Sequence, residues 1–222
     1  MDSLQAGLGY EFKDPALLKQ ALTHRSWGKK NQERLEFLGD GVLNMVAAEL
    51  LFHHKPDAQE GDLSRFRARM VRGETLAKVA TGLKLGDHIR LGPGELKSGG
   101  YRRDSILEDA LEAIIGAIYL DGGFVACQQI IGQLWTGVID ELPSADQLRD
   151  PKTKLQEWLQ ARGYPLPEYQ VLSAEGPDHR RVFTVECAIE AGERQLHLAS
   201  GESRRKAEQA AAKLAIDALT VP

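Results

Sequence analysis

Four carboxylates in two pairs are the residues of this sequence best placed to do chemistry. Glu36 and Asp40 are four apart, and Asp109 and Glu112 three apart, so each pair shares one face of a helix. The first face continues through Leu43 and Ala47, the second through Ala113 and Gly116. A carboxylate pair in line with apolar or small residues points toward packed protein. Like charges at that spacing repel, and burying them is costly unless something compensates. A hard divalent cation would do so. Four oxygen donors with no neighbouring His or Cys suit magnesium or manganese better than zinc. Magnesium keeps waters and takes substrate phosphate oxygens, which fits phosphodiester hydrolysis. Spacing alone leaves open a plainer alternative, in which these are solvated carboxylates on helix surfaces.

The elements that carry the four groups are helical. Asp14-Pro15 places an N-cap before a proline at the first helical position, leading into Leu17, Leu18 and Leu22. Residues 33–53 form a helix with Leu35, Leu38, Val42, Met45, Val46 and Leu50 as its apolar set. Asp62 or Ser64 caps a further helix, and residues 74–83 continue helical beyond Gly73. Ser105-Ile106-Leu107-Glu108 has the form of a capping box opening a helix to about Leu120. Asp121-Gly122-Gly123 ends it, and residues 124–141 form a last helix.

The segment 143–150 is short, polar and proline-containing, and the pattern changes after it. Asp150-Pro151 starts a helix with Leu155, Trp158 and Leu159 on its apolar face. Residues 169–173 are a strand. Phe183, Val185, Cys187 and Ile189 alternate with polar or small residues in a second, and Leu196 and Leu198 alternate with Gln195 and His197 in a third. A closing helix carries Ala207, Ala210, Ala211, Leu214, Ala215 and Ala218 on one stripe. The fold class is therefore two domains: an all-α domain over 1–142, a linker over 143–150, and a small α+β domain of order α-β-β-β-α over 151–222.

Bulk properties constrain the partners. The chain has 222 residues with net charge −4. Residues 1–150 hold 18 Lys+Arg against 22 Asp+Glu, and residues 151–222 hold 10 of each. Neither part has the basic excess usual for nucleic-acid binding, so local clusters and metal ions would have to hold a polyanion. Ser203-Arg204-Arg205-Lys206 is one such cluster, at the start of the last helix. Cations at a helix N-terminus are mildly unfavourable. Phosphate bound jointly by backbone N–H groups and basic side chains would explain them, and a solvated basic turn would equally. Cys127 and Cys187 are the only cysteines and lie far apart, which suits reduced thiols in a cytoplasmic protein. No signal peptide is apparent, no apolar run approaches the roughly 18 residues of a membrane span, and no membrane partner is expected.

Glu33-Arg34-Leu35-Glu36-Phe37-Leu38-Gly39-Asp40-Gly41-Val42-Leu43 resembles the signature of bacterial ribonuclease III. The likeness extends to Thr23-His24-Arg25-Ser26, to Glu60-Gly61-Asp62, to 90–100 (Arg90-Leu91-Gly92-Pro93-Gly94-Glu95 onward), and to 104–113 around Asp109 and Glu112. Gly41 departs from the small Ser or Ala usual in that family. The resemblance implies metal-binding roles for Glu36, Asp40, Asp109 and Glu112, with Asp40 and Glu112 catalytic, and accessory acidic roles for Glu33 and Glu60. It implies an endoribonuclease that uses magnesium, with manganese able to substitute. The expected products carry 5′-phosphate and 3′-hydroxyl ends with staggered 3′ overhangs. It also implies a homodimer, and processing of ribosomal RNA precursors and other structured transcripts. Residues 151–219 resemble a double-stranded-RNA-binding domain. That likeness puts Gln156, Glu157 and Gln160 at one minor groove, His179 near the next, and Ser203, Arg204 and Arg205 at the intervening phosphates. The alternative is a non-catalytic double-stranded-RNA-binding protein that keeps the fold.

Other features are set aside. The glycines of 92–100 lack the GxxxxGK[ST] spacing, so no nucleotide cofactor is expected. His53-His54 reads as a helix-end pair. Arg65, Arg67, Arg69 and Arg72 read as a solvated face, with RNA contact as the alternative. Trp27 and Trp135 are expected in the core or an interface.

Overall fold

The computed structural model describes residues 1–177 and 180–220 and divides the chain into two compact units, Met1–Ala145 and Asp146–Pro222. The first unit is helical: α1 (Asp2–Leu8), α2 (Pro15–Ala21), α3 (Glu33–His54), α4 (Glu60–Met70), α5 (Gly73–Gly82), α6 (Pro93–Lys97) and α7 (Asp104–Asp140). A short α8 (Ala145–Leu148) lies in the segment expected to be linker. α1 escapes the sequence pattern because only Leu4 and Leu8 mark its buried side.

α3 and α7 form the centre of this unit. Leu43, Val46, Ala47 and Leu51 of α3 are buried, as are Leu111, Ile114, Ile115 and Ile118 of α7. The two helices meet backbone to backbone. A Cβ on Gly39 would fall inside the van der Waals shell of the Glu112 carbonyl oxygen, and one on Gly116 would strike the Leu35 carbonyl oxygen. No other residue type allows so close a crossing. Gly41 is different, since among the described residues nothing lies within contact of a Cβ added there.

Helix ends follow the expected rules in part. Asp14 caps α2 by accepting from the Ala16 N–H at 2.9 Å. The break at 121–123 is real: Gly123 sits at φ 79°, ψ −175° and splits α7 into two helical stretches. Asp121 ties that bend to the N-terminal segment by accepting from the Tyr10 hydroxyl at 2.7 Å and from the N–H groups of Lys13 and Asp14 at 2.9 and 2.8 Å. Two expected caps are corrected. α4 starts after Gln59, so Asp62 lies inside the first turn, where it is buried and paired with Arg65 at 2.6 Å. Ser105 does not cap α7, because the helix already begins at Asp104 after an extended Arg103. Asp104 places a negative charge in that first turn, which suits the helix dipole.

Two further expectations change. An 18-residue window of α7 has a mean hydropathy of 1.6, long and apolar enough to cross a membrane by composition alone, although half of it is buried inside the unit. Interspersed small and polar residues hid this run from a search for unbroken apolar sequence. Trp135 is fully buried, with Nε1 donating to the Met70 carbonyl at 3.0 Å, but Trp27 is 52% exposed.

The second unit pairs α9 (Pro151–Gln160) and α10 (Arg204–Thr220) with an antiparallel sheet of order β1-β2-β3, formed by Glu168–Glu175, Val182–Ala191 and Glu193–Gly201. Asp150 caps α9 through the Lys152 N–H at 2.9 Å. The core joins Leu155 and Leu159 to Cys187, Ile189, Ala211, Ala212 and Ala215. The buried stripe of α10 therefore runs through Ala207, Ala211, Ala212 and Ala215, while Leu214 and Ala218 face solvent. In β3 the alternation is inverted. Gln195 and His197 pair across from Ile189 and Cys187 and so share their inner face, leaving Leu196 and Leu198 outside. Cys127 and Cys187 are buried free thiols.

The crossing yields a direct stability test. Gly39→Ala should destabilise the first unit by about 3 kcal/mol, the upper part of the usual overpacking range. Gly137→Ala, in the same fold but with open space around it, should stabilise by about 0.5–1 kcal/mol. Urea denaturation of the two variants beside the parent measures both, and equal effects would contradict the crossing.

Candidate active site

The α3–α7 crossing brings the two carboxylate pairs into one electrostatic cluster. Burial and then the Asp109 and Glu33 charges push the Glu36 carboxyl up to about 7, with Arg25 opposing. Burial pushes Glu112 up to about 8, and Asp40, Glu108, Glu36 and Asp109 all push the same way. Asp109 is raised by burial, while His24 and Arg25 pull it back. Glu36, Asp109 and Glu112 are half-buried, but Asp40 is exposed at the rim. There it accepts from the Asn44 side-chain amide at 2.8 Å.

Among the described residues, no three His, Cys, Asp or Glu side chains converge tightly enough to hold a metal ion unaided. Asp40 is engaged by the Asn44 amide instead. Glu33 is likewise drawn to the Asn31 amide at 3.0 Å and toward Arg25 at 3.8 Å. The donor set is nevertheless oxygen-only and short of positive charge, which fits a hard divalent cation.

A loop from the α2 end frames the cluster on its other side. The His24 N–H donates to the Arg90 carbonyl at 3.1 Å, and the Arg90 N–H donates to the Leu22 carbonyl at 2.7 Å. The Ser26 hydroxyl meets His24 Nδ1 at 2.8 Å and accepts from the Gly92 N–H at 2.9 Å. Gly92 packs so closely on the Ser26 carbonyl that a Cβ would collide. The separate motifs at 23–26 and 90–94 are thus one structure. His24, Arg25 and Ser26 line a polar cleft with Glu33, Asp109 and Arg103, and Arg103 is held by Glu95 at 2.6 Å.

Glu33 joins the cluster as expected. Glu60 accepts from the Ser64 hydroxyl at 3.0 Å and is not among the charges that shift Glu36, Glu108, Asp109 or Glu112. In the second unit, Gln156, Glu157 and Gln160 are exposed together on α9, with Glu157 meeting Arg149 at 3.2 Å. Ser203 accepts from the Lys206 N–H at 3.2 Å. Arg204 pairs with Glu208 at 2.8 Å and Lys206 with Glu202 at 2.5 Å. Arg205 is exposed and makes no ion pair among the described residues. His179 lies outside the described residues.

Three residues had no role in the site assigned from the sequence. Glu108 is half-buried, its pKa raised by burial and by Asp109, Asp104 and Asp40, and its carboxylate sits against Gly73 at the start of α5. Its spacing of four from Glu112 was the available signal. Asn44, four residues after Asp40, carried the same one. His24 is remote in sequence, so only the fold brings it to Asp109.

Comparison with known proteins places both units in described families. Residues 14–137 match the family model described as Ribonuclease-III-like, and residues 151–219 match the double-stranded RNA binding motif. A protein named Ribonuclease 3 from Nitrosococcus oceani is 53% identical over 97% of this chain and 93% of its own length. One of the same name from Pseudomonas aeruginosa is 54% identical over 100% of this chain and 96% of its own. The solved nuclease domain of ribonuclease III from Campylobacter jejuni is 47% identical, with a TM-score of 0.61 over 64% of this chain and 98% of that one. A helical nuclease domain followed by a double-stranded-RNA-binding domain defines an endoribonuclease acting on double-stranded RNA, and the non-catalytic alternative is not favoured. The chain belongs to the ribonuclease III family, whose members are generally metal-dependent.

The raised carboxyls fix the sign of a pH effect. Glu112 holds its proton to about 8 when folded but loses it near the ordinary glutamate range of about 4.3 when unfolded. Its cost to stability is absent below the unfolded value and grows as pH rises toward 8. In EDTA, Glu112→Gln should therefore be more stable than the parent at pH 8 by about 1–2 kcal/mol, discounted for partial exposure. The gap should close by about pH 5. Thermal melts at both pH values check this, and a gap independent of pH would refute the charge origin.

Proposed function

We propose that this protein hydrolyses phosphodiester bonds of duplex RNA at the Glu36, Asp40, Asp109 and Glu112 cluster, with magnesium as resident metal and manganese able to replace it. The observation that carries this is the glycine-to-backbone crossing that concentrates four carboxylates without an internal cation of equal charge. Bound there, a divalent ion supplies Lewis-acid charge for phosphoryl oxygens and a water acidic enough to act as nucleophile near neutral pH. Within the chain, Asn44 positions Asp40. His24 and Arg25 moderate the repulsion felt by Asp109. Asp40 and Glu112 are the proposed catalytic pair, and Glu33 and Glu60 accessory acids. The products would carry 5′-phosphate and 3′-hydroxyl ends with staggered 3′ overhangs, in cytoplasmic processing of ribosomal RNA precursors and other structured transcripts, with no membrane or nucleotide cofactor.

In the second unit, Gln156, Glu157, Gln160 and His179 would meet the minor grooves, and Ser203, Arg204 and Arg205 the phosphates between them. This division of labour has a clear test. Glu112→Gln should abolish magnesium-dependent cleavage of duplex RNA on a gel while leaving duplex affinity within about threefold, because phosphate contacts elsewhere dominate binding. Arg205→Ala should weaken duplex binding for all sequences and lower the salt slope by about 1. Loss of both activities in Glu112→Gln would overturn the assignment.

The homodimer is proposed from an apolar face with no partner in the single chain. Phe37 is 85% exposed and Met45 62% on α3, beside Tyr119 and Phe124 of α7. A contiguous patch of large apolar residues marks an interaction surface, and Gly41 lies within it. Phe37→Glu should convert a dimer to a monomer in sedimentation velocity. An unchanged dimer would move the interface elsewhere.

A further inference from the structure

Trp27, expected in the core or an interface, has half its surface open. Its ring is backed on one side by the Arg90 guanidinium, 4.5 Å from the ring centroid. Around it lies a cleft of about 520 Å³ that also takes in Lys19, Gln20, Lys30 and Ala16. That size falls within the roughly 300–1,000 Å³ of small-molecule sites. None of Lys19, Lys30 and Arg90 makes an ion pair among the described residues, so three cations surround one open indole with no carboxylate to neutralise them. The Gln20 amide N–H₂ donates to the Asn31 carbonyl at 3.1 Å, which leaves its oxygen as the remaining acceptor.

We propose that this cleft binds one unpaired nucleotide of RNA, its base stacked on Trp27 and its phosphate held by Lys19, Lys30 and Arg90. An aromatic face accepts any base by stacking, and nearby cations take the backbone. Bases inside a duplex are stacked on both faces and hydrogen-bonded to a partner, so the ligand is a single-stranded extension, bulge or loop. The cleft is placed to take one. The loop after Thr23 contributes His24, Arg25 and Ser26 to the carboxylate cleft and Trp27, Gly28 and Lys30 to this one. The loop thus offers acidic chemistry on one side and cationic stacking on the other. This extends recognition beyond duplex shape to unpaired nucleotides next to the duplex.

The test uses the full chain in EDTA, with a fluorescein-labelled oligouridylate followed by anisotropy. The parent should bind it. Trp27→Ala should weaken that binding about tenfold, and Trp27→Phe, which keeps a stacking face, by no more than about threefold. Uridine 5′-monophosphate should compete better than either uridine or inorganic phosphate alone. Magnesium-dependent cutting of a blunt duplex by Trp27→Ala should stay within about twofold of the parent, since a blunt duplex offers no unpaired nucleotide to the cleft. The proposal is overturned if the parent does not bind the oligouridylate, or if Trp27→Ala binds it as tightly as the parent. It is equally overturned if blunt-duplex cutting falls in parallel, which would make Trp27 a structural part of the loop. Competition by polyglutamate equal to that of the oligouridylate would assign the cations to an acidic peptide and also overturn it.

Discussion

Two carbonyl oxygens and two glycines govern the first unit. Because Gly39 faces the Glu112 carbonyl and Gly116 faces that of Leu35, α3 and α7 approach more closely than helices separated by side chains can. Interhelical distances of about 8–10 Å are usual when side chains intervene. The closeness has an electrostatic consequence. Glu36 and Asp40 flank Gly39 in sequence, and Glu112 stands four residues before Gly116. Packing the glycines therefore forces the carboxylates together, whatever their repulsion. The hydrophobic rows below, from Leu43 to Leu51 and from Ile114 to Ile118, supply the favourable burial that offsets it.

The rest of the unit limits that repulsion without cancelling it. His24 and Arg25 lower the Asp109 carboxyl relative to what burial alone would do, and Arg25 does the same for Glu36. Their position depends on Ser26, Gly92 and the Thr23–Arg90 bridge, so motifs far apart in sequence act as one support. Glu112, deepest in the charge field, faces four like charges. A site balanced this way is unstable as four free anions and is improved by a small divalent ion, which is the property a metal-dependent nuclease requires.

Much of this was legible in the sequence, and the losses have physical causes. The i,i+4 and i,i+3 carboxylates, the Asp14-Pro15 and Asp150-Pro151 caps and the Gly123 break are local signals, and each appears in the structure. Burial of individual groups is not local. Asp40 lies at the rim because the crossing at Gly39 turns it outward, which helical spacing alone does not reveal. The inward turn of Gln195 and His197 depends on strand register against β2. The exposure of Leu214 depends on which stripe of alanines meets the sheet. The roles of Glu108, Asn44 and His24 needed neighbours that only packing supplies.

The net charge of −4 then stops being an objection to binding a polyanion. In the second unit, Arg204 and Lys206 are paired with Glu208 and Glu202, whereas the exposed Arg205 makes no ion pair among the described residues. In the first, Lys19, Lys30 and Arg90 make no ion pair among the described residues around Trp27, while the acids gather at the α3–α7 crossing. Total charge averages over regions that a phosphate never meets at once. Beyond about 10 Å at ordinary salt, charges are largely screened from each other, so recognition follows the local arrangement. An acidic protein can therefore hold RNA wherever its cations are left without partners and cut it where its acids are left without them.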